Sequence, residues 1–133
     1  RRGNRVPRSV TGIAALLLLA GCGSDVAAGD ASAAALAFVR AEPAQACRLL
    51  APDTAEAVAS QADGDCVRAL AKLDLPDASG VRQVEVAGES AQVRLDGQVV
   101  FLARFPDGWR VTAAGCVRDD PDPAVPYECE VEP

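Results

Sequence analysis

The 133-residue chain contains no histidine and no methionine, one tryptophan, one tyrosine and three phenylalanines. Without histidine a Ser-His-Asp hydrolase is excluded, because Ser24, Ser32, Ser60, Ser79 and Ser90 have no imidazole to take the hydroxyl proton. The cysteines show no CxxC spacing, which structural zinc sites and dithiol redox centres both use. We therefore expect no metal and no cofactor. Positive charge is in deficit: 13 Lys and Arg stand against 19 Asp and Glu, a formal net charge of −6. Nucleic acid needs a basic face, so it is not an expected partner. The apolar run Val10 to Ala20 is too short for a membrane-spanning helix, which needs about 20 residues.

That run follows Arg1, Arg2, Arg5 and Arg8 and closes in Leu19-Ala20-Gly21-Cys22. A basic segment, a short apolar segment and small residues at a cut site describe a secretory signal peptide. The terminal Leu-Ala-Gly-Cys resembles the lipobox of bacterial lipoproteins. The resemblance implies that residues 1–21 are removed and that Cys22 carries a diacylglycerol. It also implies that the chain works at the cell membrane, on the extracytoplasmic face. Two acyl chains, at about 0.8 kcal/mol per buried CH2, hold a protein stably where one does not. We expect the initiating methionine upstream of Arg1. Residues 22–29 are small and weakly ordering and read as a tether reaching roughly 25 Å. One domain, residues 30–133, follows. Loss of residues 1–21 removes four arginines and no acid, taking the formal charge from −6 to −10. An anionic membrane repels such a domain, and the charge favours solubility. Usage of Ala, Arg, Val and Asp with a single lysine suggests a GC-rich, actinobacterial genome.

With Cys22 assigned to lipid, Cys47, Cys66, Cys116 and Cys129 remain, an even number in an exported domain. That arithmetic reads as two disulfides, for which three connectivities exist. Pairing within the helical and strand-rich halves ranks first: Cys47–Cys66 and Cys116–Cys129.

Asp30 reads as the cap of an alanine-rich helix over Ala31 to Ala41 that carries Leu36, Phe38 and Val39. Pro43 redirects the chain into a helix over Ala44 to Ala51, with Cys47, Leu50 and Ala51 on one face. Asp53-Thr54-Ala55-Glu56 reads as a capping box opening a helix to about Gln61. Asp65 caps the next helix, where Cys66, Ala69, Leu70 and Leu73 form an apolar stripe. Beyond the turn-rich Pro76 to Gly80 the period changes to two. Val84 and Val86, then Ala91, Val93 and Leu95, then Val99 to Phe105, then Trp109, Val111 and Ala113 read as four strands. Gly88-Glu89-Ser90, Asp96-Gly97 and Pro106-Asp107-Gly108 turn them. Tyr127 to Val131 reads as a further short strand. Helices first and an antiparallel meander second predict an α+β domain, with the helices packed on a curved sheet.

Together with Cys-Arg-Leu-Leu at Cys47 to Leu50 and the terminal cysteine pair, the strand Gly108-Trp109-Arg110-Val111-Thr112-Ala113-Ala114-Gly115-Cys116 carries a second resemblance. This order of elements resembles small actinobacterial lipoproteins similar to the cone-shaped, cystatin-like superfamily of nuclear transport factor two and ketosteroid isomerase. The resemblance implies helices closing one side of a bent sheet around an apolar pocket. Enzymes of that superfamily place acidic, tyrosine or histidine residues there. Here only Tyr127 remains, beside a cysteine, so no catalytic residue carries over, and fold alone licenses no activity.

Trp109, Phe38, Phe101 and Phe105 read as core residues before ligand contacts. Asp119, Asp120 and Asp122 read as a solvated loop, since prolines interrupt any calcium-loop pattern. No acid sits on an apolar strand as paired glycosidase carboxylates would; Glu85 and Asp96 read as outward or turn positions. The expectation is a non-enzymatic, lipid-anchored module that meets the membrane through Cys22 and binds an envelope protein. The alternatives are a carrier of a small apolar ligand in a cone-shaped pocket and, more weakly, an isomerase- or cyclase-like enzyme. A carrier needs an open apolar cavity, whereas an interaction module can have that space filled.

Overall fold

The computed structural model describes Gly3 and residues 22–133. Apart from Gly3, the expected signal peptide lies outside the described residues. Four helices precede four strands: α1 (Cys22–Arg40), α2 (Pro43–Leu49), α3 (Pro52–Ser60), α4 (Cys66–Lys72), β1 (Val81–Ala87), β2 (Ser90–Leu95), β3 (Val99–Phe105) and β4 (Gly108–Cys116). The strands pair antiparallel in chain order, a four-stranded meander. The α+β class and both disulfides are those expected from the sequence.

Helix α1 crosses the sheet and touches all four strands. Its buried positions are Ala27, Ala31, Ala35 and Phe38, a stripe at spacings of four, four and three residues. Three alanines let the helix axis lie close to the strands, and Phe38 fills the space at the far end. The helix begins at Cys22, not at Asp30, so residues 22–29 are helical rather than a slack tether. Ala27 continues the stripe one turn towards the N-terminus, and its burial helps offset the cost of Gly29, about 1 kcal/mol in a helix interior, while Gly23 lies in the first turn, outside that interior. Asp25 in the first turn complements the positive end of the helix dipole. Asp30 is an exposed position within the helix and not its cap.

Pro43 and Pro52 take the opening positions of α2 and α3, where a missing N–H costs nothing. The expected capping box at Asp53 is therefore not formed. Ala51 is the N-cap, no side chain caps the helix, and Thr54 donates instead to the carbonyl of Thr112 at 3.0 Å. The helix expected over Ala44 to Ala51 stops at Leu49, because Leu50 turns extended. Leu50 then pairs in parallel with Val111, and the Ala51 N–H donates to the Val111 carbonyl at 2.7 Å. Asp65 does cap α4, accepting from the Arg68 N–H at 2.9 Å.

Val93, Leu95, Val100, Leu102, Val111 and Ala114 on one sheet face meet Phe38, Leu50, Val58 and Leu70 from the helices. The phase of β4 differs from simple alternation: Ala114, not Ala113, is buried. Irregular register between Val99 and Leu102 against β4 shifts the inward set by one residue and bends the strand pair. Phe101 and Phe105 are not core residues, because the regular pairing of β3 with β2 turns Val100 and Leu102 inward. They are half-buried on the opposite face of β3, while Trp109 is half-buried at the margin of the core. The expected tail strand is reduced to two pairings, Glu128 with Val117 and Val131 with Ala114. Val131 is fully buried. Leu50 at one end and the tail at the other thus cover the outer edge of β4, whose free N–H and C=O groups would otherwise invite another chain.

Candidate functional site

The four domain cysteines pair as ranked from the sequence. Cys47–Cys66 joins α2 to α4, and Cys116–Cys129 joins the end of β4 to the tail. The first bridge packs against the core, with both cysteines half-buried. Cys22, the expected lipidation residue, is the first residue of α1.

Directly beside that residue, a groove of about 590 Å³ opens where the start of α1 crosses the β3–β4 hairpin. Gly23, Val26 and Ala27 line one wall, and Phe105, Pro106 and Trp109 line the other. Val26 is 63% exposed, the most exposed large apolar side chain among the described residues. The Arg104 guanidinium lies over Trp109, 4.7 Å from the ring centroid, an arrangement in which the ring face attracts the cation. The next arginine along β4 works differently. Arg110 is bound by the Asp107 carboxylate at the hairpin tip and donates through Nη1 to the Arg48 carbonyl at 2.8 Å. It thereby ties the hairpin to the last turn of α2. The Arg110 guanidinium beside Asp107 holds that carboxyl below the usual carboxylate range, and Asp107 in turn raises Arg110.

At the other end of β3 a more polar hollow of about 540 Å³ is lined by Arg94, Gln98, Arg118, Asp119, Asp120 and Tyr127. Arg118 stacks over Tyr127 at 4.6 Å, and Tyr127 meets Phe101 edge to face at 5.5 Å. The acidic loop is shaped by its own carboxylates. Asp120 accepts from the Asp122 N–H at 2.8 Å, and Asp122 accepts from the Ala124 N–H at 2.9 Å. Among the described residues no three His, Cys, Asp or Glu side chains are grouped so as to hold a metal ion.

Sequence reasoning misses Gln98, a buried polar residue at 3% exposure. Its Nε2 donates to the Pro76 carbonyl at 2.6 Å and its Oε1 accepts from the Gly115 N–H at 2.8 Å. One side chain thus fixes the helix-to-sheet linker against the end of β4. Its neighbour Asp96 accepts from Ser79 at 3.0 Å and is bound by Arg82, which together hold its carboxyl below the usual range. A glutamine after an Asp-Gly turn carries no signal of such a role; the register that buries it is tertiary. Arg104 and Arg110 are also illegible as distinct, since both occupy strand positions of the same hairpin.

No family model, no curated protein and no solved structure matches the chain. Among the described residues, no helix is long and apolar enough to cross a membrane.

Proposed function

We propose that the protein is a lipid-anchored lipoprotein of the cell envelope, held through Cys22 and acting as a non-enzymatic module that binds another envelope protein. The Leu19-Ala20-Gly21-Cys22 motif supports the anchor. Two disulfides fit an oxidising compartment outside the cytoplasm. A long helix laid over an antiparallel sheet supports the likeness to the cone-shaped superfamily.

The observation that carries the interaction reading is the occupancy of the space between helices and sheet. Phe38, Leu50, Val58, Val93, Val100, Leu102 and Val111 fill it and are all essentially inaccessible. A carrier of an apolar ligand would keep that space open, and an enzyme would need ionisable groups converging in it. Among the described residues no acid and no arginine is buried; they lie at exposed or half-buried positions on the helices, in turns and the acidic loop, and along the strands.

Native mass spectrometry of the full chain, expressed with export and purified gently, tests this reading. The expected species is acylated, lacks four hydrogens relative to the reduced chain because of its two bridges, and carries no other small molecule. A reproducible additional ligand mass would overturn the interaction reading in favour of a carrier. Cross-linking in intact cells should then capture an envelope protein on the native chain, and lose it when Cys22→Ala removes the anchor.

A further inference from the structure

The groove beside Cys22 and the rigidity of α1 belong together. Anchored through a slack tether, the domain would be free to stand off from the bilayer. The chain is helical from Cys22 onward, and Ala27, Ala31, Ala35 and Phe38 fasten that helix to the sheet. A helix rises about 1.5 Å per residue, so Val26 lies only about 6 Å along the axis from Cys22. The polar headgroup layer on each side of a bilayer is about 5–8 Å thick. A lipid on Cys22 therefore brings the groove to the depth of the headgroups.

From this placement we infer that the end of the domain formed by the start of α1 and the β3–β4 hairpin docks on the lipid surface in a fixed orientation, with Val26, Phe105 and Trp109 in the interfacial layer. The inference rests on the lipoprotein reading of Cys22 and adds the docking face to it. The chemistry of that face fits a lipid headgroup zone. Tryptophan and other amphipathic rings favour this layer. Val26 is an exposed apolar side chain beside a half-buried Trp109. Arg104, stacked on that ring, forms no ion pair among the described residues and can meet a lipid phosphate without giving up a carboxylate partner. Asp30 lines the groove itself and Asp25 lies on the same helix, so the contact is apolar in origin and not a general attraction of the acidic domain to an anionic surface.

Trp109 is the only tryptophan of the chain and reports on this contact directly. The acylated full chain, its modification verified by mass, is reconstituted into phosphatidylcholine–phosphatidylglycerol vesicles containing lipids brominated near the headgroup end of the acyl chain. The expected result is a blue shift of Trp109 emission and loss of its intensity to bromine quenching, both persisting in high salt. Val26→Asp, at an exposed position, should leave melting unchanged and the protein vesicle-bound, yet abolish the quenching. An acylated chain whose Trp109 is unquenched stands off the membrane; that result overturns the docking and leaves the lipoprotein reading intact. A blue shift without quenching means that one of the chain's own acyl groups occupies the groove, and it likewise overturns docking on the bilayer. A chain not acylated at Cys22 would defeat the lipoprotein reading, and the docking with it.

Discussion

Gly115 shows how much one position can carry. Its φ of +65° lies in the left-handed region, and a Cβ there would come within 2.9 Å of Leu75 Cδ2 and 3.0 Å of Glu130 Cβ. Gly115→Ala therefore meets backbone strain and overpacking together. We expect a loss of about 2 kcal/mol or more in urea denaturation. Gln98→Leu should cost a comparable amount, because the Pro76 carbonyl and the Gly115 N–H lose their partner, at about 1–3 kcal/mol for each buried group left unsatisfied. A loss much smaller than that would mean that water reaches these groups. Asp96 and Asp107 set a pH dependence of known sign. Their carboxyls are depressed in the folded chain by Arg82 with Ser79 and by Arg110, respectively. The unfolded chain binds protons first, near pH of about 4, so this contribution is complete above that value and is lost as pH falls through the lower folded values. Melting measured from neutral to strongly acidic pH should fall in that acid window, and less steeply in Asp107→Asn. Both aspartates are exposed, so the effect is small beside the core.

At the scale of elements, helices and strands differ in how openly the sequence shows them. The apolar stripe of α4 and the alternation of β2 agree with the structure because each element buries the face its period predicts. The start of α1 was hidden by Gly23 and Gly29, whose propensity argues for coil, while the sheet beneath Ala27 supplies the burial that overrides it. The end of α2 was hidden for a different reason: Leu50 leaves the helix to pair with Val111, which is 61 positions further along the chain. The disulfides act on these elements. Each closes a loop, with sequence separations of 19 and 13 residues, and in the chain-entropy view each stabilises by roughly 3 kcal/mol. Cys66→Ser should lower the melting temperature by releasing α2 from α4. Cys129→Ser should do so by freeing the tail, exposing Val131 and the outer edge of β4. Calorimetry of the two variants checks this, and an unchanged melting temperature in either would contradict the role given to its bridge.

For the whole molecule the governing relation is between the proposed anchor at Cys22 and a filled domain. With its interior filled, the domain presents its surface to other molecules, and under the proposed lipidation of Cys22 a helix joined without slack to that residue would decide which part of the surface faces the membrane. Cys22→Ala should move the protein from the membrane to the soluble fraction while its melting temperature stays the same, because Ala27 and not the lipid fastens the start of α1. Fractionation with a melting curve on the released protein tests both halves of that expectation.

The sequence by itself determined what local chemistry and counting can reach. It specified the class of fold and the meander with its turn residues, and it ranked the pairing of cysteines within halves first. It also specified the absence of histidine chemistry. Each depends on residue type and on neighbours within a few positions, where period, capping and loop length act. The tertiary structure alone decided that residues 22–29 are helical, that Gln98 is a buried clasp, that Phe101 and Phe105 leave the core, and that Arg104 and Arg110 take separate roles. Those outcomes depend on which distant segment supplies burial or a hydrogen-bond partner. A bulge that shifts register by one residue, or a sheet lying under a weak helix, reverses a local preference worth about 1 kcal/mol.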